Sequence, residues 1–232
     1  MHKVFKFLAV VALLGFPIAV IGFRLGLFPF TTSFTLMLAT AGLSAIVFMG
    51  GMLVSFIKRS QPAIAKSART AAMIALLPLI GLGTQGFKGS SLPEIHNIST
   101  DLLNPPAFDK VIALRSDSDN SLEYKVDELA SLQSAAYPNV KTLFTDLSPS
   151  EAHAKSKSII ESMGLDLVNS DAKKGVIEAT HQSALWGFKD DIVVRITVNG
   201  EQTAIDLRSV SRIGRNDLGA NAARIEKFLA KF

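Results

Sequence analysis

The first 87 residues contain no Asp or Glu, and this absence constrains the fold more than any other feature of the sequence. Three runs without any charged residue lie in this region, at 7–23, 34–57 and 70–87. A helix that crosses the hydrocarbon core of a bilayer needs about 20 apolar residues, with about 17 as the lower limit. Helices buried in a soluble core rarely lack a polar stripe over such lengths. We therefore predict a three-helix transmembrane anchor over residues 1–87.

The basic residues around these runs predict the orientation of the anchor. Lys3 and Lys6 precede the first run, and four basic residues lie in the predicted loop 58–69, whereas Arg24 alone separates the first two runs. The positive-inside rule then places the amino terminus and the 58–69 loop in the cytoplasm. The first run lacks a small-x-small cleavage pattern, so we interpret it as an uncleaved span and not as a signal peptide. We expect an integral inner (plasma) membrane protein with residues 88–232 in an extracytoplasmic domain, periplasmic if the source is a Gram-negative bacterium.

The charge distribution argues against a nucleic-acid-binding protein. The net charge of +4 comes from the hydrophobic region, because residues 88–232 carry all 20 acidic residues and only 17 of the 24 basic ones. Binding to nucleic acid requires a basic face on the folded domain. The chain also has no Cys, which excludes a disulfide framework, a thiolate metal site and a cysteine nucleophile.

One glycine motif resembles a nucleotide-binding sequence without its context. The stretch GLGTQG at 81–86 matches G-x-G-x-x-G. That motif binds a dinucleotide where a strand turns into a helix, whose amino end holds the pyrophosphate. Here the motif lies at the exit of an apolar span and precedes KGSSLPEIHN, which does not open a helix. We expect no nucleotide cofactor, and we predict no cofactor of any other kind.

The pattern of residues 88–232 predicts an α+β domain. In SPSEAHAKSKSIIESMG, Ser148 is an N-cap, Pro149 takes the first helical position, Glu151 completes a capping box and Gly164 ends the helix. Strand patterns follow on either side of DAKKG, and a final pair flanks Asn199-Gly200. A helix from about Asp217 closes the chain. The prediction is an antiparallel sheet with helices packed on one face.

A two-residue turn at Asn199-Gly200 would fix the register of the last hairpin. It would set Val194 opposite Ile205 and Asp191 opposite Arg208. Alternation along the strands places one set of residues on an apolar face and a charged set on the other face. The charged set comprises Asp191, Arg195, Asp206, Arg208 and Arg212.

Three segments together resemble the bacterial and plastid envelope family catalogued as domain of unknown function 1499. They are PEIHNISTDLLNPPAF, LWGFKDDIVVRITV and DLRSVSRIGRNDLGANAARI, and the resemblance covers about residues 92–229. It implies a fold and an envelope location, and no reaction. This chain has Asn97 where the family pattern usually has Asp.

Catalytic and metal-binding patterns are weak in this sequence. Clustered His, Asp or Glu would be needed for a metal, and the four histidines lie far apart, so we predict no metal site. His96 and Asp101 could still meet His181 in space as a polar site. No G-x-S-x-G is present for a serine hydrolase. Asp190 and Asp191 cannot form a carboxylate pair, because adjacent strand residues point to opposite faces.

The arginines near the carboxyl terminus allow two interpretations. In one, Asp191, Asp206 and Asp217 neutralise them in a structural network that includes Arg195 and Arg208. In the other, some remain free to bind a phosphate, a lipid headgroup or an acidic partner. The residues that we consider for ligand or partner binding are Arg212, Arg215, Arg224, Asn221, Asp217 and Trp186.

The favoured function is a membrane-anchored envelope accessory or binding protein whose partners are membrane lipids or an envelope protein. The alternative is an envelope enzyme of unidentified reaction type. We predict no catalytic residues from the sequence.

Overall fold

The structure is a computed structural model that describes residues 2–89 and 92–232, with side chains for 4–83 and 92–232. The chain divides into two compact units, Met1–Ser90 and Ser91–Phe232.

The first unit contains three long helices, α1 (His2–Arg24), α2 (Phe30–Ile57) and α3 (Pro62–Gly89). Each includes a segment long and apolar enough to cross a membrane: Val4–Arg24, Phe30–Ile57 and Pro62–Gly83. The three predicted apolar helices are therefore confirmed.

The predicted basic loop at 58–69 is shorter in the structure. Helix α3 begins at Pro62, so Lys66 and Arg69 lie in its first turns and not in the loop. Proline is favoured at this first helical position because its missing N–H would have no partner there. The stretch GLGTQG is helical within α3, which differs from the strand-to-helix turn that a dinucleotide site requires.

Small residues let the three helices approach closely. A Cβ placed on Gly51 of α2 would lie 2.8 Å from the carbonyl oxygen of Ala68 and 3.1 Å from the Cβ of Ala72, both in α3. On α3, Ala71 and Ala75 are also fully buried. Close backbone packing of this kind replaces the hydrophobic effect as a source of helix association in lipid.

The second unit is an α+β domain, as predicted. Its helices are α4 (Val126–Ala136), α5 (Pro149–Ser162) and α6 (Ala220–Leu229), with a 3-10 helix at Lys110–Leu114. Its strands are β1 (Asn97–Ser99), β2 (Leu143–Thr145), β3 (Asp166–Asp171), β4 (Val176–Gln182), β5 (Lys189–Asn199) and β6 (Gln202–Ser211). They form one antiparallel sheet in the order β1-β6-β5-β4-β3, and β2 pairs with β6 beside β1.

One face of the sheet packs against α5 and α6 and forms the main core. Ile192, Val194 and Leu207 from the sheet meet Ile160 of α5 and Phe228 of α6 in this core, and all are buried. Helix α5 begins as predicted. The side chain of Ser148 accepts from the backbone N–H of Glu151, whose carboxylate accepts from Ser148 N, and the helix ends before Gly164.

The other face of the sheet is covered as well. Phe108 and Val111, from the segment between β1 and α4, pack on Val193 of β5 and Val210 of β6 in a second buried cluster. Glu178 of β4 is fully buried on this face and accepts hydrogen bonds from three consecutive backbone N–H groups at 109–111. The carboxylate thereby satisfies the first N–H groups of the 3-10 helix. The predicted charged face is therefore an interior face.

The hairpin register differs from the prediction by two residues. Asn199 pairs with Gln202, so the turn is Gly200-Glu201 and not Asn199-Gly200. Gly200 has φ +62°, and Glu201 has a negative φ, which is the pattern of a type II′ turn. A turn at Asn199-Gly200 would need a positive φ at Asn199 as well. A shift of two residues keeps each side chain on its predicted face but changes its partner.

Candidate functional site

A buried polar cluster joins α6 to the sheet, and we name it the Arg224 cluster. Its members are His181, Asp190, Ser209, Ser211, Asn221 and Arg224. Nη2 of Arg224 donates to Oδ2 of Asp190 at 2.7 Å, and Nη1 donates to Oδ1 of Asn221 at 2.7 Å. Asn221 is fully buried and Arg224 is 9% exposed. The cluster forms because β5 and β6 point alternate residues at α6, where Asn221 and Arg224 lie one turn apart.

Serine hydroxyls complete the interior of the Arg224 cluster. Oγ of Ser209 donates to Oδ1 of Asn221 at 2.6 Å, and Nδ2 of Asn221 donates to Oγ of Ser211 at 2.8 Å. A serine on the apolar side of a strand ordinarily bonds its hydroxyl to backbone, whereas both of these hydroxyls bond to a side chain of α6. The two hydroxyls form hydrogen bonds with Asn221 of α6 because this helix packs against β6.

Asp217 caps the start of α6 beside this cluster. Its Oδ1 accepts from Gly219 N at 2.8 Å and its Oδ2 accepts from Asn221 N at 2.9 Å. Gly219 is the N-cap with φ +78°, so the helix begins at Ala220 and not near Asp217 as predicted. Burial, with a smaller effect from the charge of Asp190, raises the pKa of Asp217 against the lowering effect of these hydrogen bonds.

The pKa of Asp190 is shifted in the opposite direction to that of Asp217. Burial alone would raise its pKa, but the neighbouring His181 ring, hydrogen bonds with Ser211 and Arg224, and the charge of the Arg224 guanidinium together hold the pKa below its usual range. Nδ1 of His181 lies 3.1 Å from Nη2 of Arg224 and 3.7 Å from Oδ2 of Asp190. The His181 side chain is 34% exposed, so the Arg224 cluster reaches solvent at this ring.

Asp191 binds two arginines on the opposite face of the sheet. Its Oδ1 accepts from Nη2 of Arg212 at 2.8 Å and its Oδ2 from Nε of Arg212 at 3.0 Å, while Arg115 also donates to Oδ2. Thr180 donates to Oδ1 at 2.9 Å. Asp191 is fully buried and Arg212 is 7% exposed. Bidentate geometry and burial make this a firmly held ion pair.

Arg195 forms a separate ion-pair group on that face. Its Nη2 donates to Oδ2 of Asp206 at 2.8 Å and to Oδ2 of Asp101 at 2.9 Å. Arg195 and Asp206 are directly opposed in the β5–β6 register. Asp101 is therefore held beside Arg195, and the predicted meeting of Asp101 with His96 and His181 does not occur.

Arg208 does not pair with Asp191, contrary to the predicted register. It is opposite Val193, and Asp191 is opposite Val210. Its guanidinium donates to Oδ1 of Asn97, to the carbonyl oxygen of Pro106 and to the carbonyl oxygen of Leu122. From β6, the buried Arg208 thus forms hydrogen bonds both with β1 and with the segment between β1 and α4.

The remaining predicted residues lie near one end of the sheet. Arg215 is exposed, and its backbone oxygen lies 3.3 Å from Nδ1 of His96. Trp186 is half-buried in the β4–β5 loop and stacks on Phe188, with ring centroids 5.6 Å apart and planes 3° apart. Arg212 and Arg215 were both considered for ligand or partner binding, and the structure separates them: Arg212 is buried with Asp191 and Arg215 is at the surface.

Several residues of these sites escaped the sequence analysis. Arg115 and Glu178 contribute to the interior face, and Asp190 and Ser209 contribute to the Arg224 cluster. The alternation of β5 and β6 placed Asp190 and Ser209 on the helix side, so this part of the cluster had a signal. Arg115 had none, because its segment has no periodicity. Within the described residues, no group of three His, Asp or Glu side chains is arranged to hold a metal ion.

Comparison with known proteins gives a family but no assigned activity. None of the curated proteins compared with the chain matches it. The model of one family, described as a protein of unknown function (DUF1499), matches residues 97–232, which is more than half of the chain. The matched residues run from the first strand of the α+β domain to its end. The chain belongs to this family of proteins of unknown function, DUF1499.

Proposed function

We propose that the protein is a membrane-anchored accessory or binding protein of the cell envelope. Helices α1 to α3 anchor it in the inner (plasma) membrane, and the α+β domain lies outside the cytoplasm. The observation that carries the proposal is the combination of three helices of spanning length with basic residues clustered at the amino terminus and between the second and third helices. Lys3 and Lys6 lie in the first two turns of α1, and Lys58 and Arg59 follow α2. The positive-inside rule assigns these ends to the cytoplasm.

The arrangement of the Arg224 cluster argues against hydrolysis by a serine nucleophile. In such a hydrolase a histidine takes the proton of the serine hydroxyl, and a carboxylate orients the histidine. Here Asn221 connects both serine hydroxyls to the cluster, and His181 contacts Arg224 and Asp190. The cluster is built to hold α6 against the sheet, with Asp190 and Arg224 neutralising each other.

The surface at Arg215 offers an exposed guanidinium to a partner. The described residues contain no hydrogen-bond or ion-pair partner for the Arg215 guanidinium, whereas Arg195, Arg208, Arg212 and Arg224 all have partners. A guanidinium presents donors that match a carboxylate or phosphate. An anionic group is therefore the proposed ligand class.

Fusions with a reporter that is active only outside the cytoplasm test the anchor and its orientation. A reporter after Phe232 should be active, and a reporter at Gln61, between α2 and α3, should be inactive. A third fusion at Leu27, between α1 and α2, should be active and serves as the control for the first two spans. The reverse pattern, or an inactive fusion at Phe232, would overturn the proposed location.

A further inference from the structure

One end of the sheet gathers three segments, and we call it the tether end. The β4–β5 loop (183–188) and the segment 212–219 both extend beyond it, because Gln182 pairs with Lys189 and Ser211 pairs with Asp190. Residues 92–96 arrive at the same end, where Ser211 N donates to the carbonyl oxygen of His96 at 2.9 Å. The β5–β6 turn and the β3–β4 turn lie at the opposite end.

The tether end exposes large apolar side chains. Leu185 is 52% exposed and Leu218 is 43% exposed. Leu218 also has φ +54°, the one positive φ among the described residues other than glycine. A leucine rarely adopts this conformation, and backbone strain of this kind occurs most often at functional sites. Leu218 N donates to Oδ1 of Asn216 at 2.8 Å, which holds the strained residue in place.

Exposed cations accompany these apolar residues. Arg215 and Lys189 are both exposed at this end. Their acidic neighbours are Glu94, which is exposed, and Asp217, whose carboxylate is engaged by backbone N–H groups of α6. The mixture of leucines and cations is typical of surfaces that meet the lipid–water interface.

Chain connectivity joins the domain to α3 at this end. Two residues connect Gly89, the last residue of α3, to Leu92, a reach of at most about 11 Å from the Cα spacing. Leu92 lies next to α6, since a Cβ on Gly219 would be 3.2 Å from its Cδ1. Leu218 precedes Gly219 in the chain. It therefore lies near Leu92, the first described residue after the connection to α3.

We infer that the tether end of the sheet docks on the lipid–water interface, with Leu185 and Leu218 among the headgroups and Arg215 and Lys189 bound to lipid phosphates. The inference rests on the membrane anchoring in the proposed function but not on the side to which the domain is assigned. Exposed apolar side chains gain free energy when they are buried at the boundary between headgroups and acyl chains, and tryptophan is enriched at that interface. A guanidinium forms paired hydrogen bonds with phosphate oxygens, and a lysine adds a point charge.

The single tryptophan of the chain provides a probe at this end. We propose to place the full-length protein in nanodiscs of phosphatidylcholine, or of phosphatidylcholine with phosphatidylglycerol at a molar ratio of about 7:3, chosen to give the negative surface of an anionic leaflet. Trp186 fluorescence would be quenched with lipids brominated near the headgroup, with lipids brominated near the acyl end, and with aqueous iodide. Docking predicts quenching by the shallow bromines, little by the deep ones, and protection from iodide.

Substitutions at the two ends of the sheet complete the test. The pair Leu185→Ser and Leu218→Ser should reduce quenching by the shallow bromines, and Arg215→Gln with Lys189→Gln should abolish any gain from phosphatidylglycerol. The matched control is Val198→Ser with Lys173→Gln, because Val198 is 71% exposed at the opposite end. This control should leave quenching unchanged.

Two results would overturn the docking inference. One is iodide quenching that equals that of free tryptophan, with no effect of brominated lipid. The other is protection from iodide without bromine quenching, which would show that protein covers Trp186. Either result leaves the reporter fusions unaffected, so failure of the docking and failure of the proposed topology are distinguishable.

Discussion

Nε of Arg208 donates to Oδ1 of Asn97 at 3.0 Å, so a buried cation has a neutral amide as its side-chain partner. The guanidinium carbon lies over the rings of Phe108 and Tyr124, 5.4 and 5.8 Å from their centroids. Burial lowers the pKa of Arg208 to about 10 and raises the pKa of Tyr124 to about 12. No carboxylate lies within ion-pair distance of Arg208 in the described part of the chain. Aromatic faces and backbone carbonyls therefore stabilise the charge.

Arg208→Ala should lower the free energy of unfolding by roughly 2–4 kcal/mol, because it leaves buried oxygens without donors and empties the space over two rings. Thermal unfolding of the solubilised full chain, followed by Trp186 fluorescence, reports on this domain. Arg215→Ala is the control and should change the free energy by less than about 0.5 kcal/mol. Equal effects of the two variants would contradict the structural role of Arg208.

Arg212→Ala should destabilise the domain by roughly 3 kcal/mol, because Asp191 then retains a buried charge with only Arg115 to balance it. The double variant Asp191→Ala with Arg212→Ala should cost less than the sum of the two single variants, since the uncompensated charge is also removed. The same fluorescence measurement gives all three values. Additive effects would show that the two side chains do not interact in solution.

The two aspartates near α6 should give stability opposite dependences on pH. The folded pKa of Asp190 is lowered, so its contribution is present above the usual Asp pKa and is lost as pH falls through the folded pKa. The folded pKa of Asp217 is raised, so its contribution is present below the usual Asp pKa and is lost as pH rises through the folded pKa.

Unfolding midpoints in urea between about pH 2 and 6 test this pair of signs. Asp190→Asn should remove the loss of stability at the acidic end of the range. Asp217→Asn should remove the loss that occurs as the pH rises above the usual Asp pKa. A pH profile of Asp190→Asn identical in shape to that of the unmodified protein would refute the role given to its carboxylate.

Gly51→Val should push α2 and α3 apart, at a cost of roughly 1–3 kcal/mol, because its side chain would collide with the backbone of Ala68. The chain has no Cys, so cysteines introduced at Ser55 and Arg69 can report the helix spacing through a short thiol crosslinker. Oγ of Ser55 lies 3.4 Å from Nε of Arg69 in the structure. The crosslinking yield should fall with Gly51→Val and stay constant with Gly42→Val, since a Cβ at Gly42 would meet nothing within 4 Å.

Local patterns predicted the features that short stretches of chain determine. The uncharged runs gave the three helices, because each satisfies its backbone hydrogen bonds within itself. The sequence around Ser148 and Glu151 predicted the start of α5, because a capping box involves four consecutive residues. Alternation along β5 and β6 assigned Asp190 and Asp191 to opposite faces. The short strands β1 and β2 and the helix α4 were missed because their patterns are too short or too irregular.

Tertiary structure alone decided which charges meet. The preference for a type II′ turn at Gly200 shifted the register by two residues, and this shift moved Arg208 away from Asp191 while leaving both on the predicted face. The segment between β1 and α4 then brought Arg115, Phe108 and the carbonyl of Pro106 over that face. A salt bridge or a cage around a guanidinium depends on distances between residues far apart in sequence, which a local pattern does not encode. Arg212 is buried and Arg215 is exposed, although only three residues separate them. The reason is again tertiary: Arg212 meets Asp191 of β5 and the carbonyl of Leu114, and Arg215 does not.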